Sequence, residues 1–310
     1  MQSFLPLQSA LKPLRFDPAL DFKPEGFEEY RRFYQLDALR GQHHIGTLHS
    51  GNYRLAVQYW LPENVQQTAL VVHGYFDHVG LYRHVIQFLL QKNIAVIAFD
   101  LPGHGLSSGA RAVIHNFDEY AQAINSVITT SANTKLPPIT LGFGQSTGCA
   151  AWMNFLMEDF SHAIQKLIFF SPLLRPHHWQ PQGYAAYLLL RHFIKYLPRN
   201  FHDNSSNQEF LHFCRYEDPL QPRYLTVAWV DAMKNWLTHF SKQSVIKTST
   251  LILQGEQDDT VDWRYNIPAI CKKMPNAQVH YLAEARHHLA NESASIRARA
   301  EQIVNQFLDS

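Results

Sequence analysis

The sequence predicts an α/β fold, a doubly wound and mostly parallel sheet with a helical insertion. Apolar runs such as residues 94–100 are short and uninterrupted, as in strands that a parallel sheet buries on both faces. Segments of helical period separate these runs, which favours parallel strands joined by right-handed crossovers. One apolar run leads through Gly-x-Ser-x-Gly, centred on Ser146, directly into a helical segment.

The first part of the chain, residues 1–45, is predicted to form an N-terminal arm and a helix. Proline and apolar residues dominate residues 1–26, which indicates an irregular arm on the surface. Residues 27–39 have the period of a short amphipathic helix. A hairpin follows, with its two strands and its turn expected at 44–48, 53–61 and 50–52.

The α/β core is predicted to comprise residues 46–171 and 250–310. After the hairpin, its strands are expected at the apolar runs 69–73, 94–100, 139–143, 166–170, 250–254 and 278–281. One helix is expected between the last two strands. The other helices are expected at 80–91, 117–130, 149–160 and 292–308.

Residues 172–249 interrupt this alternation and are predicted to form a helical insertion. The segment is poor in strand patterns and rich in aromatic residues, histidine and arginine, with helices expected at 181–196 and 226–240. Long insertions in compact domains tend to carry function, so we interpret this one as a lid. An ordinary structural subdomain is the alternative.

Composition excludes several function classes. A net charge of +1 and the lack of a dense Lys/Arg run argue against a nucleic-acid partner. The 18 histidines are scattered without His-Glu-x-x-His spacing and no Cys-x-x-Cys is present, so neither a metal nor another cofactor is expected.

The cysteines and the apolar pattern indicate a cytoplasmic location. The 3 cysteines are odd in number and far apart, which suits a reducing compartment. No signal-peptide pattern and no stretch of about 18 apolar residues is visible. Peripheral contact with the inner membrane surface stays open.

The residues around Ser146 predict a nucleophile on a strand-to-helix turn. Such a turn lifts the serine oxygen out of the sheet at the positive end of the helix. Side chains at Gly144 and Gly148 would collide where the strand and helix cross. The alternative is a Gly/Ser turn at a helix N-cap.

A serine nucleophile requires a histidine base and an acid that orients it. In this type of sheet the acid and base follow the serine in that order. Asp258 follows a late strand and is the preferred acid, with Asp259 as its rival; Asp262 is expected to cap the next helix. His287 follows the last strand and is the preferred base, with His288 as its rival.

Two backbone N–H groups are expected to bind the oxyanion that forms during the reaction. Thr147, directly after the nucleophile, supplies one. Tyr75, on the loop after an early strand, supplies the other. On the same loop, His73 and Gly74 are predicted to contact substrate, with Gly74 allowing close backbone approach.

These residues together resemble the α/β-hydrolase superfamily, and within it the monoacylglycerol lipase and lysophospholipase group, whose relatives include serine aminopeptidase-like hydrolases. The resemblance covers residues 46–310. It rests on His73-Gly74 with His78 and Tyr82, the loop 99–109 (FDLPGHGLSSG), the frame 144–148, Gly255-x-x-Asp258-x-x-Val261 and the segment 286–292. It implies ester hydrolysis of single-chain lipids by a triad of Ser146, Asp258 and His287. Thr147 and Cys149 depart from residues that relatives often carry.

We therefore expect a serine hydrolase that cleaves a small-molecule or lipid ester through an acyl-enzyme. A lysophospholipid or monoacylglycerol is the preferred substrate, and a small-ester esterase, an aminopeptidase-like hydrolase or a non-catalytic binding protein are the alternatives. In the insertion, Trp179, Tyr184 and Tyr187 are expected to form part of an acyl-chain surface. Its basic residues could face phosphate headgroups or an anionic surface, or could simply be solvated: Arg175, Arg191, Lys195 and Arg199.

Overall fold

An eight-stranded sheet organises the fold, with ten α-helices and a second, two-stranded sheet in the part of the chain that is described. The computed structural model describes residues 3–17, 19, 22–132, 134 and 136–310. The strands are β1 Gln42–Ser50, β2 Tyr53–Leu61, β3 Gln67–Val72, β4 Ile94–Phe99, β5 Ile139–Gln145, β6 Lys166–Phe170, β7 Tyr196–Pro198, β8 Tyr224–Thr226, β9 Ser249–Gly255 and β10 Ala277–Leu282. The helices are α1 Leu5–Ala10, α2 Phe27–Phe33, α3 Arg83–Gln91, α4 Asp118–Ala132, α5 Thr147–Met157, α6 Tyr184–Leu190, α7 Gln208–His212, α8 Val227–Lys242, α9 Trp263–Lys273 and α10 Ala294–Asp309.

The large sheet has the strand order β1-β2-β4-β3-β5-β6-β9-β10. The strands from β4 to β10 in this order are mutually parallel, and β2 pairs antiparallel with both β1 and β4. The predicted doubly wound, mostly parallel sheet is confirmed. Because parallel strands end at the same edge, the loops after β3, β5, β9 and β10 converge there.

Alternating residues of the central strands explain why helices cover both faces. Leu70 and Ile97 belong to the apolar core on one face, which includes residues of α4, α5 and α8. Val71 and Val96 belong to the core on the other face, with residues of α3 and α10. The side-chain period of two therefore divides each uninterrupted apolar run between two cores.

The N-terminal segment is more regular than the sequence indicates. Leu5–Ala10 is helical, with Pro6 in the first turn, where its missing N–H removes no helical hydrogen bond. Leu7 on this helix is buried, and Phe4 packs at 5.4 Å between ring centroids on Tyr30 of α2. The predicted helix 27–39 ends early because Gln35 adopts φ 56°, outside the helical range.

The segment between β6 and β9 contains more than the two expected helices. The expected helix 181–196 is represented by a π-helical turn at Trp179–Gly183 and by α6, which ends at Leu190. The chain then forms β7, which pairs antiparallel with β8. These two strands have 3 residues each and were not expected, because they depend on pairing between residues distant in the chain, but the described part of the insertion is poor in strands, as predicted.

Asp100 links three segments beneath the strand ends. Its carboxylate accepts the N–H of Val79 and of Leu106, both at 2.7 Å. A Cβ at Gly105, where φ is 48°, would lie 2.2 Å from this carboxylate. Asp100 and Gly105 of the loop motif 99–109 therefore fix the conformation of this loop.

None of the helices within the described residues has the length and apolar character that crossing a bilayer requires.

Candidate active site

Ser146 lies at the sharp turn from β5 into α5. Its φ of 53° and ψ of −112° form a strained conformation for a residue with a side chain. A Cβ at Gly144 would lie 2.8 Å from the nitrogen of Cys149. A Cβ at Gly148 would lie 2.1 Å from the carbonyl oxygen of Val72. The neighbouring strand β3, and not β5, therefore leaves no room for a side chain at position 148. The turn places Ser146 at the positive end of α5.

Asp258 and His287 meet at the same edge of the sheet. The Nδ1 atom of His287 lies 2.8 Å from Oδ2 of Asp258, and both side chains are buried. His287 also lines the cavity into which Ser146 opens. The loops after β9 and β10 thus join Asp258 to His287, and His287 shares a cavity with Ser146 on the turn after β5.

The pair has the electrostatics of an ion pair in a buried site. Burial lowers the pKa of His287, but the carboxylate of Asp258 outweighs it, and the pKa is raised above its ordinary value. Burial raises the pKa of Asp258, yet the imidazole and the hydrogen bonds to the carboxylate bring its pKa below the ordinary value. The carboxylate therefore stabilises the protonated form of the imidazole, the form that arises when the ring takes up a proton.

The loop after β9 orients one carboxylate and leaves its rival outside. Oδ1 of Asp258 accepts the N–H of Thr260 at 2.8 Å and of Val261 at 3.1 Å. The side chain of Gln254 donates to Oδ2 at 3.0 Å. Asp259 is exposed at the rim of the cavity, and no hydrogen bond joins it to the imidazole within the described residues.

Asp262 accepts the N–H of Tyr265 with its side chain at the start of α9. The cap expected at this position is therefore present. The same carboxylate lies 2.7 Å from Arg175 in an ion pair. Asp262 is accordingly occupied by contacts that stabilise the helix and the insertion.

His288, the rival base, belongs to a different hydrogen-bond chain. Its Nε2 lies 3.2 Å from Oδ2 of Asp77, which also accepts a hydrogen bond from the Tyr82 hydroxyl at 2.9 Å. The Tyr82 oxygen in turn accepts the N–H of Gly74 at 3.1 Å. This chain ties the loop after β3 to the loop after β10.

Burial raises the pKa of Asp77, but His288 and Tyr82 are among the groups that hold it below the usual range. Sequence reasoning did not select Asp77 for a role. An acidic residue three positions after Gly74, on the loop of the expected oxyanion donor, is the signal that could have indicated it.

Gln145 is a second residue that sequence reasoning missed. Its side-chain amide donates to the carbonyl of His287 at 2.8 Å and accepts the N–H of Ala290 at 3.3 Å. The variable position within Gly-x-Ser-x-Gly therefore fixes the loop that carries the histidine. Nothing in the local pattern distinguishes this role, because its partners lie more than 140 residues away.

The two expected oxyanion donors flank Ser146. Thr147 is the first residue of α5, and an N–H at that position has no partner within the helix. A Cβ at Gly74 would lie 3.4 Å from Cβ of Ser146, so the loop that carries Tyr75 passes close to the serine. The Tyr75 hydroxyl donates to the carbonyl of Ala112 at 2.9 Å, which anchors that loop.

His73 does not reach the cavity wall that its neighbours form. Its Nε2 accepts the N–H of Leu101 at 2.9 Å, and Nδ1 donates to the carbonyl of Gly74 at 2.7 Å. Burial lowers the pKa of His73 to about 3, so the ring is neutral. In place of the expected substrate contact, His73 joins the ends of β3 and β4.

A cavity of about 680 Å³ opens above Ser146, a size typical of small-molecule sites. Trp229, Val230 and Met233 of α8 form an apolar wall. A polar wall includes Arg199, His202, Asn204 and His288, all of which also line a small adjoining pocket. The cavity therefore has the amphipathic lining that suits a ligand with an apolar and a polar end.

Of the three aromatic residues expected to contact substrate, two line this cavity. Trp179 and Tyr187 form part of its wall. Tyr184 lies behind them, with its ring centroid 5.7 Å from Trp179 and 6.1 Å from Tyr187. Tyr184 therefore supports the wall without being part of it.

The described residues contain no group of three or more His, Cys, Asp or Glu side chains placed to hold a metal ion.

Comparison with known proteins places the chain in a family. The sequence profile described as "Serine aminopeptidase, S33" matches residues 63–294, which include every residue of the candidate site. The chain belongs to this family of α/β-hydrolases. It shares 29% identity over 116 residues with monoacylglycerol lipase of Mycolicibacterium smegmatis, covering 36% of this chain and 41% of that protein.

Two further relatives extend the comparison of this S33 hydrolase. Monoglyceride lipase of Rattus norvegicus is 31% identical over 122 residues, which cover 39% of this chain and 40% of the rat protein. The chain thus aligns with less than half of the length of these two curated relatives. A soluble variant of monoglyceride lipase from Saccharomyces cerevisiae shares the fold, with a TM-score of 0.73 and 16% identity over 86% of this chain and 94% of that one.

The two departures in the S33 motif are both packing positions. The Thr147 side chain is fully buried in α5. Cys149 is also fully buried, and its thiol donates to the carbonyl of Phe170 at 3.5 Å. Burial raises the pKa of Cys149 well above its ordinary value, so the thiol stays protonated and is a poor nucleophile.

Replacing Asp258 with asparagine is expected to lower the pKa of His287. The wild-type imidazole should titrate above about 6.5, whereas in D258N the carboxylate is lost and burial remains, so the value should fall below that. NMR titration of histidine-labelled protein, with the signal assigned from H287Q, measures this shift. D259N is the matched control and should move the titration less, because that carboxylate is exposed. Equal shifts in both variants would contradict the assignment of the pair.

Proposed function

We propose that this protein is a carboxylic ester hydrolase with Ser146 as nucleophile, His287 as general base and Asp258 as the orienting acid. The proposal rests on the hydrogen bond from His287 to Asp258, with His287 lining the cavity into which strained Ser146 opens. A histidine base that is held by a carboxylate and takes the proton of a serine is the arrangement that activates a hydroxyl at neutral pH.

The geometry supports a defined proton path. With Nδ1 donating to Asp258, Nε2 of His287 is the nitrogen that takes the Ser146 proton as the hydroxyl attacks the ester carbonyl. The carbonyl oxygen becomes negative and is bound by the N–H groups of Tyr75 and Thr147. The imidazolium then protonates the departing alcohol, leaving an acyl-serine. Water, deprotonated by His287, attacks the acyl carbon and releases the acid and Ser146.

We infer that the substrate is an ester of a single-chain lipid, a monoacylglycerol or a lysophospholipid. The apolar wall of α8 suits an acyl chain and the polar wall suits a headgroup, with Ser146 opening into the same cavity. The names of the relatives, monoacylglycerol and monoglyceride lipases, are consistent with this class. The insertion supplies the apolar wall and acts as a lid in this proposal.

The outer face of the insertion supports contact with a membrane surface. Leu189 and Phe193 are 72% and 85% exposed, which is unusual for large apolar side chains. Lys195 is exposed on the same short segment and would face anionic lipid. We propose that this patch binds peripherally at a lipid interface, where the substrate is found.

Labelling with a fluorophosphonate probe tests the nucleophile, and kinetics of D258N test the triad. We expect the probe to modify Ser146, and S146A to remain unlabelled. D258N should lower kcat on p-nitrophenyl butyrate by roughly 10³- to 10⁴-fold, because the imidazole loses its orienting charge. D259N should change kcat by no more than about twofold, because the side chain of Asp259 is exposed. An unlabelled wild-type protein would favour a non-catalytic binding protein.

Ester chain length tests the acyl-chain wall. The kcat/KM for p-nitrophenyl esters should rise from acetate to dodecanoate, by up to about fourfold per methylene buried in the cavity. V230W should shift the preference to shorter chains, because Val230 lines the apolar wall. V245W is the control, since Val245 is 50% exposed and does not line the cavity. Turnover of acetate and butyrate alone would favour a small-ester esterase.

Cosedimentation with anionic vesicles tests the membrane patch. The double variant L189S/F193S should bind at least about tenfold more weakly, because it removes two apolar side chains available for insertion. The matched control is L5S/V245S, which replaces two exposed apolar residues outside this segment. Equal loss of binding in both double variants would show that the patch has no special role.

A further inference from the structure

Two of the arginines in the insertion are already engaged by acidic partners. Arg175 forms its ion pair with Asp262 at 2.7 Å. Arg191 lies 3.8 Å from Asp231 and donates to the Tyr187 hydroxyl at 2.9 Å. Their charges are therefore largely compensated by contacts that hold the insertion together.

Arg199 is different because it lines the cavity without an acidic partner. No carboxylate lies within 4.0 Å of its guanidinium among residues 3–17, 19, 22–132, 134 and 136–310. Its Nη1 donates to the side-chain oxygen of Gln221 and, at 3.4 Å, to the carbonyl of Pro222. Both acceptors are neutral, and both bonds use the same nitrogen, so the other arm of the fork remains for a ligand.

Two aromatic rings fix the guanidinium in place. It lies 4.2 Å from the ring centroid of Phe76 and 4.3 Å from that of Phe201. Such stacking holds a planar cation without neutralising its charge. Phe76 directly follows Tyr75, so Arg199 is fixed against the loop that carries an expected oxyanion donor.

The guanidinium keeps its charge in this position. Burial lowers the pKa of Arg199 to about 10, and the Asp77 carboxylate partly opposes that effect. The Asp77 carboxylate is itself hydrogen-bonded to Tyr82 and His288. At neutral pH the polar wall therefore presents to the cavity a fixed cation with unused donors, beside the hydrogen-bonded Asp77 carboxylate, which also lines it.

We propose that Arg199 binds a phosphate oxygen in the headgroup of the substrate, so that the preferred substrate is an anionic lysophospholipid. The proposal rests on the proposed ester hydrolysis at Ser146. A partly buried arginine without an acidic partner gains most from a ligand that supplies the missing negative charge. A neutral glycerol headgroup offers hydroxyl acceptors only, and its hydrogen bonds to the same fork are weaker.

The test compares two substrates with the same acyl chain, 1-oleoyl lysophosphatidic acid and 1-oleoylglycerol, in mixed micelles of one neutral detergent. We expect R199Q to lower the ratio of their kcat/KM values by about 10- to 100-fold, at the expense of the phosphate ester. R199K should restore part of the ratio, because a lysine keeps the charge but not the fork.

R223Q is the matched control for this ratio. Arg223 is exposed, contacts the ring of Phe201 at 5.2 Å and does not line the cavity, and its loss changes the net charge equally. The ratio should stay at the wild-type value in R223Q. If R199Q leaves the ratio unchanged, the phosphate site is overturned. If kcat/KM then falls equally for both substrates, Arg199 has a structural role.

A binding measurement separates this proposal from the proposed catalysis. In the S146A background, calorimetry should show weaker binding of 1-oleoyl lysophosphatidic acid when R199Q is added. That result without turnover by the wild type would support the phosphate site and refute the ester hydrolysis. Turnover by the wild type without any effect of R199Q on binding would support the ester hydrolysis and refute the phosphate site. Equal affinity for sn-glycerol 3-phosphate alone would show a site for free phosphate esters and overturn its assignment to a lipid headgroup.

Discussion

The close crossing of β3, β5 and α5 is the constraint on which the rest of the site depends. The carbonyl of Val72 and the start of α5 approach so closely that positions 144 and 148 accept no side chain. The chain can turn from strand to helix there only through a strained residue, and that residue is Ser146. Strain of this kind persists only where the surrounding packing is rigid, and β5 is buried between neighbouring parallel strands.

Three sets of hydrogen bonds hold the other loops against this turn. Gln145, the last residue of β5, fixes the loop of His287, and two backbone N–H groups with Gln254 fix Asp258. The hydrogen bonds from Gly74 through Tyr82 and Asp77 to His288 join the loop after β3 to the loop after β10. Because these groups are buried, each bond is stronger than it would be in water, and the geometry is preorganised.

In the proposed function, the insertion adds selection of the substrate to the chemistry at Ser146. Its α8 supplies an apolar wall, while the segment after β7 supplies a cation, so the two ends of a bound amphiphile would meet different surroundings. Trp229 stacks at 4.0 Å on Tyr75, and Phe76 stacks on Arg199, so both walls contact the loop after β3. A ligand held between the two walls would therefore lie against side chains that pack on the loop carrying Tyr75.

Local pattern was sufficient for the sheet and for the order of Ser146, Asp258 and His287, because apolar runs and turn residues act over a few positions. It preferred His287 over His288 by position alone, and it did not find Gln145 or Asp77, whose partners are distant along the chain. It also grouped Arg199 with arginines whose charges are compensated, and it assigned His73 to substrate. The sequence by itself determined the elements and the residue types available for chemistry. Only the tertiary structure decided which polar groups are satisfied and which face the cavity, because burial and pairing depend on contacts between residues far apart in the chain.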